Sequence, residues 1–228
     1  MEQETKICKC CGEEINYSNT QTKAGWAEVD ITGICEKCFD NTTFNLEENI
    51  DVLDEFVLSL IKDGVVLAGG SLRALVNTYD EIQDYDLFFL DESKVQSVKE
   101  KLEGNEFNLV FACPEGKLFT YINTDQIKVQ LILKRTYSSC EDIISSFDVT
   151  ACCCAYDGNK FYYNDRFVFD NLNGLININN IEFPVATMKR IAKYVEKGFK
   201  LTSGAAKYFV ENVNTMKLDD SNTALYID

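Results

Sequence analysis

Asp84 and Asp86 lie two residues apart in Asp84-Tyr85-Asp86-Leu87-Phe88-Phe89, a run that reads as a β-strand. Side chains two apart on a strand share a face, so the two carboxylates converge. Upstream stands Leu67-Ala68-Gly69-Gly70-Ser71-Leu72-Arg73, read as a strand entering a Gly-Gly-Ser turn and a helix start. Glycines let backbone approach a phosphate group, and a helix N-terminus offers free N–H groups and a positive dipole end. Two carboxylates beside a phosphate cradle suit Mg²⁺ and phosphoryl or nucleotidyl transfer. Either half alone is common; together, in this order, they are far more specific.

A second constellation is cysteine-based. Cys8 and Cys11 form one C-x-x-C, Cys35 and Cys38 another, with 23 residues between the pairs. Four thiolates suit tetrahedral Zn²⁺ in a closed, structural site. Cys10 adjoins the first pair, and the choice of Cys8 and Cys11 rests on spacing. Gly12 follows where a turn would present backbone N–H groups to sulfur. Cys152-Cys153-Cys154 cannot all ligate one ion from a strand, because neighbours point to opposite faces. They read as a buried strand.

The 228 residues contain no histidine, which excludes imidazole bases, triads and His-ligated metals. Catalysis would fall to carboxylates, lysine, thiolate or a bound cation. A hydrophobic content of 46% is enough for a core. No apolar run is long enough to span a bilayer, and MEQETKICKC does not resemble a signal peptide. Ten cysteines then point to thiols in a reducing, cytoplasmic setting.

The net charge of −15 is unevenly placed. Residues 1–45 hold 4 basic and 8 acidic residues, and residues 46–180 hold 11 and 23. Residues 181–217 reverse the balance, with 7 basic against 3 acidic. These shifts divide the chain into a zinc-ribbon module (1–45), a central domain (46–180), a helical neck (181–217) and a flexible tail (218–228). The ribbon's acidity favours a protein partner over DNA. Trp26, Tyr17 and Phe39 are expected in its small core.

Helical spacing of Ile50, Leu53, Phe56, Val57, Leu60 and Ile61 predicts a helix ended by Gly64. A further helix is expected in SLRALVNTY. Strands are expected at NEFNLVFAC, KLFTYI, IKVQLIL and VTACCCAYD, with KFYYN pairing to the last across Asp157-Gly158. Helices follow from Pro184. The class is α/β or α+β with a helical tail.

The segment LAGGSLRALVNTYDEIQDYDLFFL resembles the G-G-x-R…D-x-D signature of DNA polymerase beta-type nucleotidyltransferases. More narrowly it resembles the head of tRNA CCA-adding enzymes and bacterial poly(A) polymerases. Residues 146–157 (SFDVTACCCAYD) resemble that family's R-D-F-T-x-N-A-x-A-Y-D strand, and Asp170–Ile176 its D-L-x-x-G segment. Residues 188–201 resemble the neck helix ending in G-F-x-I/L. The likeness covers roughly residues 50–205. It implies an α+β fold with a mixed sheet flanked by helices, an NTP substrate and Mg²⁺. Gly69, Gly70, Ser71, Arg73, Asp148 and Arg190 would bind nucleotide, with Arg73 pairing with phosphate or with Asp148. Asp84 and Asp86 would hold the cation.

Some positions depart from the pattern. Ala74 replaces an Asp, Phe147 replaces an Arg, and Gln130 stands near the position of a third acid. No E-D-x-x-R base-reading motif precedes Arg190. Lys189, Arg190 and Lys193 either contact phosphate or acceptor, or form a solvated face drawn to the acidic centre. Two functions follow. One is transfer of a nucleoside monophosphate to a hydroxyl of an RNA end, a protein or a small molecule. The other is a catalytically silent binding or assembly role, in a compact architecture of phage style.

Overall fold

The computed structural model describes residues 6–77 and 80–214. The expected tail, 218–228, lies outside them.

The centre is a seven-stranded sheet in the order β3-β4-β5-β2-β1-β6-β7. Its strands are β1 (Val65–Ala68), β2 (Tyr85–Phe89), β3 (Asn108–Ala112), β4 (Leu118–Ile122), β5 (Lys128–Ile132), β6 (Cys154–Tyr156) and β7 (Phe161–Tyr163). β2 and β5 run parallel; the other pairs are antiparallel. β1 is buried at every position because it lies in the sheet's interior with apolar side chains on both faces. One face packs Leu67, Leu87, Val129 and Leu131 with Val57 and Leu60 from helix α3 (Glu55–Leu60) and Val98 and Leu102 from helix α4 (Val95–Gly104). The other packs Val66, Ala68, Phe88 and Ala155 with Cys140 and Ile143 of helix α5 (Cys140–Ser145).

Three expectations change in detail. The single helix over residues 50–61 is a 3-10 stretch, Leu46–Val52, followed by α3, because Leu53 is extended and the Asp54 carboxylate accepts from the Val57 N–H at 2.9 Å. Among its described residues, SLRALVNTY has no α-helix and shares a 3-10 stretch, Gly70–Leu75. In VTACCCAYD, Thr150–Cys152 is also a 3-10 turn; all three cysteines are buried, yet only Cys154 belongs to a strand.

The N-terminal segment has helices α1 (Lys23–Thr32) and α2 (Glu36–Thr43). Among its described residues the β pairing is one isolated bridge, Ile7 to Glu14, so it is more helical than a ribbon of strands. Cys8, Ile15, Val29, Cys35 and Cys38 form its core, with Trp26 against them. Tyr17 is 75% exposed, its ring edge-on to Trp26 at 5.5 Å, and Phe39 is half-buried. Lys37 on α2 is buried and reaches Asp165 at 2.9 Å, beside helix α6 (Phe167–Leu172), which docks this segment on the sheet domain. Beyond the sheet, β8 (Leu175–Ile176) pairs with β9 (Lys200–Leu201) around helix α7 (Pro184–Glu196), and helix α8 (Ser203–Val213) follows. Pro184 opens α7, where its missing N–H costs nothing.

Candidate functional site

β1 runs out of the core into Gly69, whose φ of 96° and ψ of −142° belong to a region that side-chain-bearing residues avoid. That turn drops the chain toward β2. A Cβ built on Gly69 would stand 3.5 Å from Oδ2 of Asp86 and 3.7 Å from the Phe147 ring. Ser71 follows, 4% exposed, and its hydroxyl has no hydrogen-bond partner among the described residues. A buried, unsatisfied hydroxyl is costly and marks a place where a polar ligand would restore a bond.

Asp86 lies on β2, and Asp84 one residue before the strand begins. Both are half-buried and line one cleft of about 440 Å³, together with Gly69, Gly70 and Ser71. That volume falls in the range of small-ligand sites. Gln130 lines the same cleft and sits directly across from Asp86 on β5. The donor set is oxygen only, two carboxylates and an amide, and suits one hard cation such as Mg²⁺. Asp80, Glu81 and Asp148 line the cleft as well, with Asp80 paired to Arg73 and Asp148 to Arg190.

α7 forms the opposite wall. Arg190, Lys193, Tyr194 and Lys197 line the cleft, at a spacing that puts them on one face of a helix and its continuation. Lys189 is not among the cleft residues, since its position points elsewhere on the turn. Lys197 was the residue not singled out from sequence; the three-and-four spacing from Arg190 was the available clue. Burial, with Arg73 and Lys193 nearby, holds its ammonium below the ordinary lysine value, and it reaches Gln83 at 3.4 Å.

Two of the expected contacts are rearranged. Arg73 does not pair with Asp148. Its Nε donates to Asn171 at 3.0 Å, its Nη2 to Asp80, and its guanidinium lies 4.8 Å from the Tyr194 ring centre and 4.7 Å from that of Phe199. At 4% exposure it is a strut joining the glycine turn to the neck, though it still lines the cleft. Asp148 pairs instead with Arg190, fastening α7 to the sheet domain. Sequence reasoning missed Asn171, which also donates to the Ala151 and Phe167 carbonyls. No local pattern marks its bond to Arg73, 98 positions away in the chain.

The N-terminal cysteines also meet. Sγ atoms of Cys8, Cys11, Cys35 and Cys38 lie within 4.8 Å of one another, a set able to hold a metal ion such as Zn²⁺. Cys35 caps α2 and Cys38 sits in its first turn; without a cation, burial raises both thiols, Cys35 to about 11. N–H groups of Cys10 and Cys35 approach Cys8 Sγ at 3.4 and 3.3 Å. Burial raises the Cys8 thiol, but hydrogen bonds from Cys35, Cys11 and Cys10 outweigh it and bring it to about 6. Cys10 is exposed and outside the four.

The sheet order, the glycine turn and the paired aspartates together define a nucleotidyltransferase fold. A CCA-adding enzyme solved with CTP is similar with a TM-score of 0.58 at 14% identity, over 74% of this chain and 45% of that one. The Thermotoga maritima CCA-adding enzyme complexed with tRNA gives 0.55 at 16% identity, over 74% and 44%. Within that fold, the chain belongs to the Gabija anti-defense 2 family, whose model matches residues 34–174. A "Gabija anti-defense 2" protein of Bacillus phage SPbetaL7 is 27% identical over 152 residues, 65% of this chain and 37% of that protein. The chain therefore spans less than half the length of these relatives.

Proposed function

We propose that the cleft moves a nucleoside monophosphate from an NTP to an acceptor hydroxyl, and that this chemistry serves the anti-defense role carried in the phage relative's name. The observation that supports this reading is the convergence, in one cleft, of Gly69–Ser71, Asp84, Asp86 and the basic face of α7. Ser71 and the glycine backbone would take the phosphates from one side, Lys193 and Lys197 from the other. Asp84 and Asp86 would hold Mg²⁺, which supplies charge neutralisation at the phosphates when bound. The acceptor oxygen forms a bond to the α-phosphorus as the bond to pyrophosphate breaks, and the hydroxyl proton leaves to a carboxylate or water. The acceptor is an RNA end, a protein or a small molecule. The four cysteines would hold structural zinc in a segment that offers a surface to a protein partner.

A second reading is a catalytically silent member of the same fold that binds or assembles. Gln130 in place of a third acid and the engagement of Arg73 in the scaffold favour it. Pyrophosphate release from each NTP with Mg²⁺ or Mn²⁺, with and without RNA or protein, separates the two. Release that needs metal supports transfer. Metal-dependent nucleotide binding with no release under any condition supports the silent form.

A further inference from the structure

Lys37 stands between two of the four clustered cysteines, Cys35 and Cys38, in the first turn of α2. It is 4% exposed, and its ammonium donates to the Asp165 carboxylate at 2.9 Å. The Asn41 side-chain amide donates to the backbone carbonyl of the same residue. From the other side, Arg166 donates to the Ser18 carbonyl at 3.2 Å. The N-terminal segment thus grips the two residues that lead into α6.

α6 is short and buried from Phe167 to Asn171. Arg166 turns back onto Asp170 at 2.9 Å, a fully buried carboxylate that also accepts from Thr150 and Asn177. The next residue, Asn171, accepts from Nε of Arg73 and donates to the Ala151 carbonyl, each at 3.0 Å. Both bonds lead to the cleft. Arg73 shares the 3-10 stretch Gly70–Leu75 with Ser71. Ala151 belongs to the turn Thr150–Cys152, whose Cys152 lines the cleft and meets the Tyr194 hydroxyl at 2.8 Å. Buried polar groups have few alternative partners, so a shift at one is taken up by the next.

We propose that Lys37 is a positioning residue for the cleft. By holding Asp165, and with it α6, it sets the glycine turn through Asn171 and Arg73. The four-cysteine cluster regulates the cleft, because the turn that carries Lys37 is fixed when those cysteines share a metal ion. The consequence for nucleotide affinity rests on the reading of the cleft given above; the consequence for the glycine turn does not.

Hydrogen exchange of the full chain, read by mass spectrometry, tests the turn. In Lys37→Met, amides of residues 69–76 and 167–174 should exchange about tenfold faster, while those of β4 and β5 change by less than about twofold. Lys37→Arg, which can keep the bond to Asp165, should restore the natural rates. Chelator treatment of the natural protein should reproduce the faster exchange at 69–76. Calorimetric titration with the Mg²⁺ complexes of the four α,β-methylene NTP analogues should show binding about tenfold weaker in Lys37→Met. Natural rates at 69–76 in Lys37→Met, acceleration spread equally to β4 and β5, or no rescue by Lys37→Arg would overturn the positioning role. So would unchanged affinity for an analogue that the natural protein binds. Unchanged rates at 69–76 after chelation would overturn the regulation by the cysteines. A natural protein that binds none of the four analogues would instead remove the nucleotide reading, and exchange at 69–76 would alone decide whether Lys37 positions the turn.

Discussion

Asp86 and Gln130 face each other across the parallel strands β2 and β5, so the carboxylate of one cleft wall has an amide as its cross-strand neighbour. Beside the paired aspartates, a further charge on that neighbour would sit within a strand spacing of a bound cation. Gln130→Glu should therefore tighten Mn²⁺ binding by about tenfold, the effect of roughly 1.4 kcal/mol of added attraction. Titration followed by the loss of free-Mn²⁺ EPR signal measures this. Unchanged affinity would mean that no cation sits beside Asp86.

Arg73 and the lysines of α7 line the same cleft but do different work. Arg73→Ala leaves Asp80 and Asn171 without their partner and opens a gap beneath Tyr194 and Phe199. It should cost about 3–5 kcal/mol in urea unfolding. Lys193→Ala with Lys197→Ala should change unfolding by less than about 1 kcal/mol and weaken NTP binding by about tenfold. A stable Arg73→Ala protein would return that arginine to a ligand role.

Local patterns carried much of the site. The glycine turn, the alternation around Asp84 and Asp86 and the two C-x-x-C pairs depend on neighbours in sequence, and the cleft and the cysteine cluster contain them. The hairpin at Asp157-Gly158 has the same origin, with Gly158 at φ 95°. Tertiary choices were not legible. Arg73 bonds to a residue 98 positions away. The rotation of α7 about its axis, which brings in Lys197 and leaves out Lys189, depends on where Ile191 and Tyr194 pack. The break at Leu53 came from a competing cap, Asp54, which ended one helical run and began another.

Zinc content distinguishes the cysteines. Cys10→Ser should retain a single zinc ion per chain, and Cys11→Ser should lose it along with thermal stability. Elemental analysis of protein purified without chelator, paired with melting curves, tests both. Loss of zinc in Cys10→Ser would reassign the ligands.

Asp170 supplies a pH dependence. Burial raises its carboxyl above the ordinary value near 3.8, against the pull of Arg166, Thr150 and Asn177. The folded chain then holds that proton more readily than the unfolded chain. Its contribution to stability falls as pH rises from about 3.8 through the raised value. Relative to Asp170→Asn, the natural protein should lose stability over that interval in urea unfolding. A relative gain with rising pH would contradict a raised carboxyl.

Transfer itself is the most direct measurement. With each NTP labelled at the α-phosphate, Mg²⁺ or Mn²⁺, and RNA or protein as acceptor, the label should appear in a product. It should vanish in Asp84→Ala/Asp86→Ala, whose folding is checked in parallel. No labelled product from any NTP, or equal labelling by the double variant, would contradict nucleotidyl transfer in this cleft.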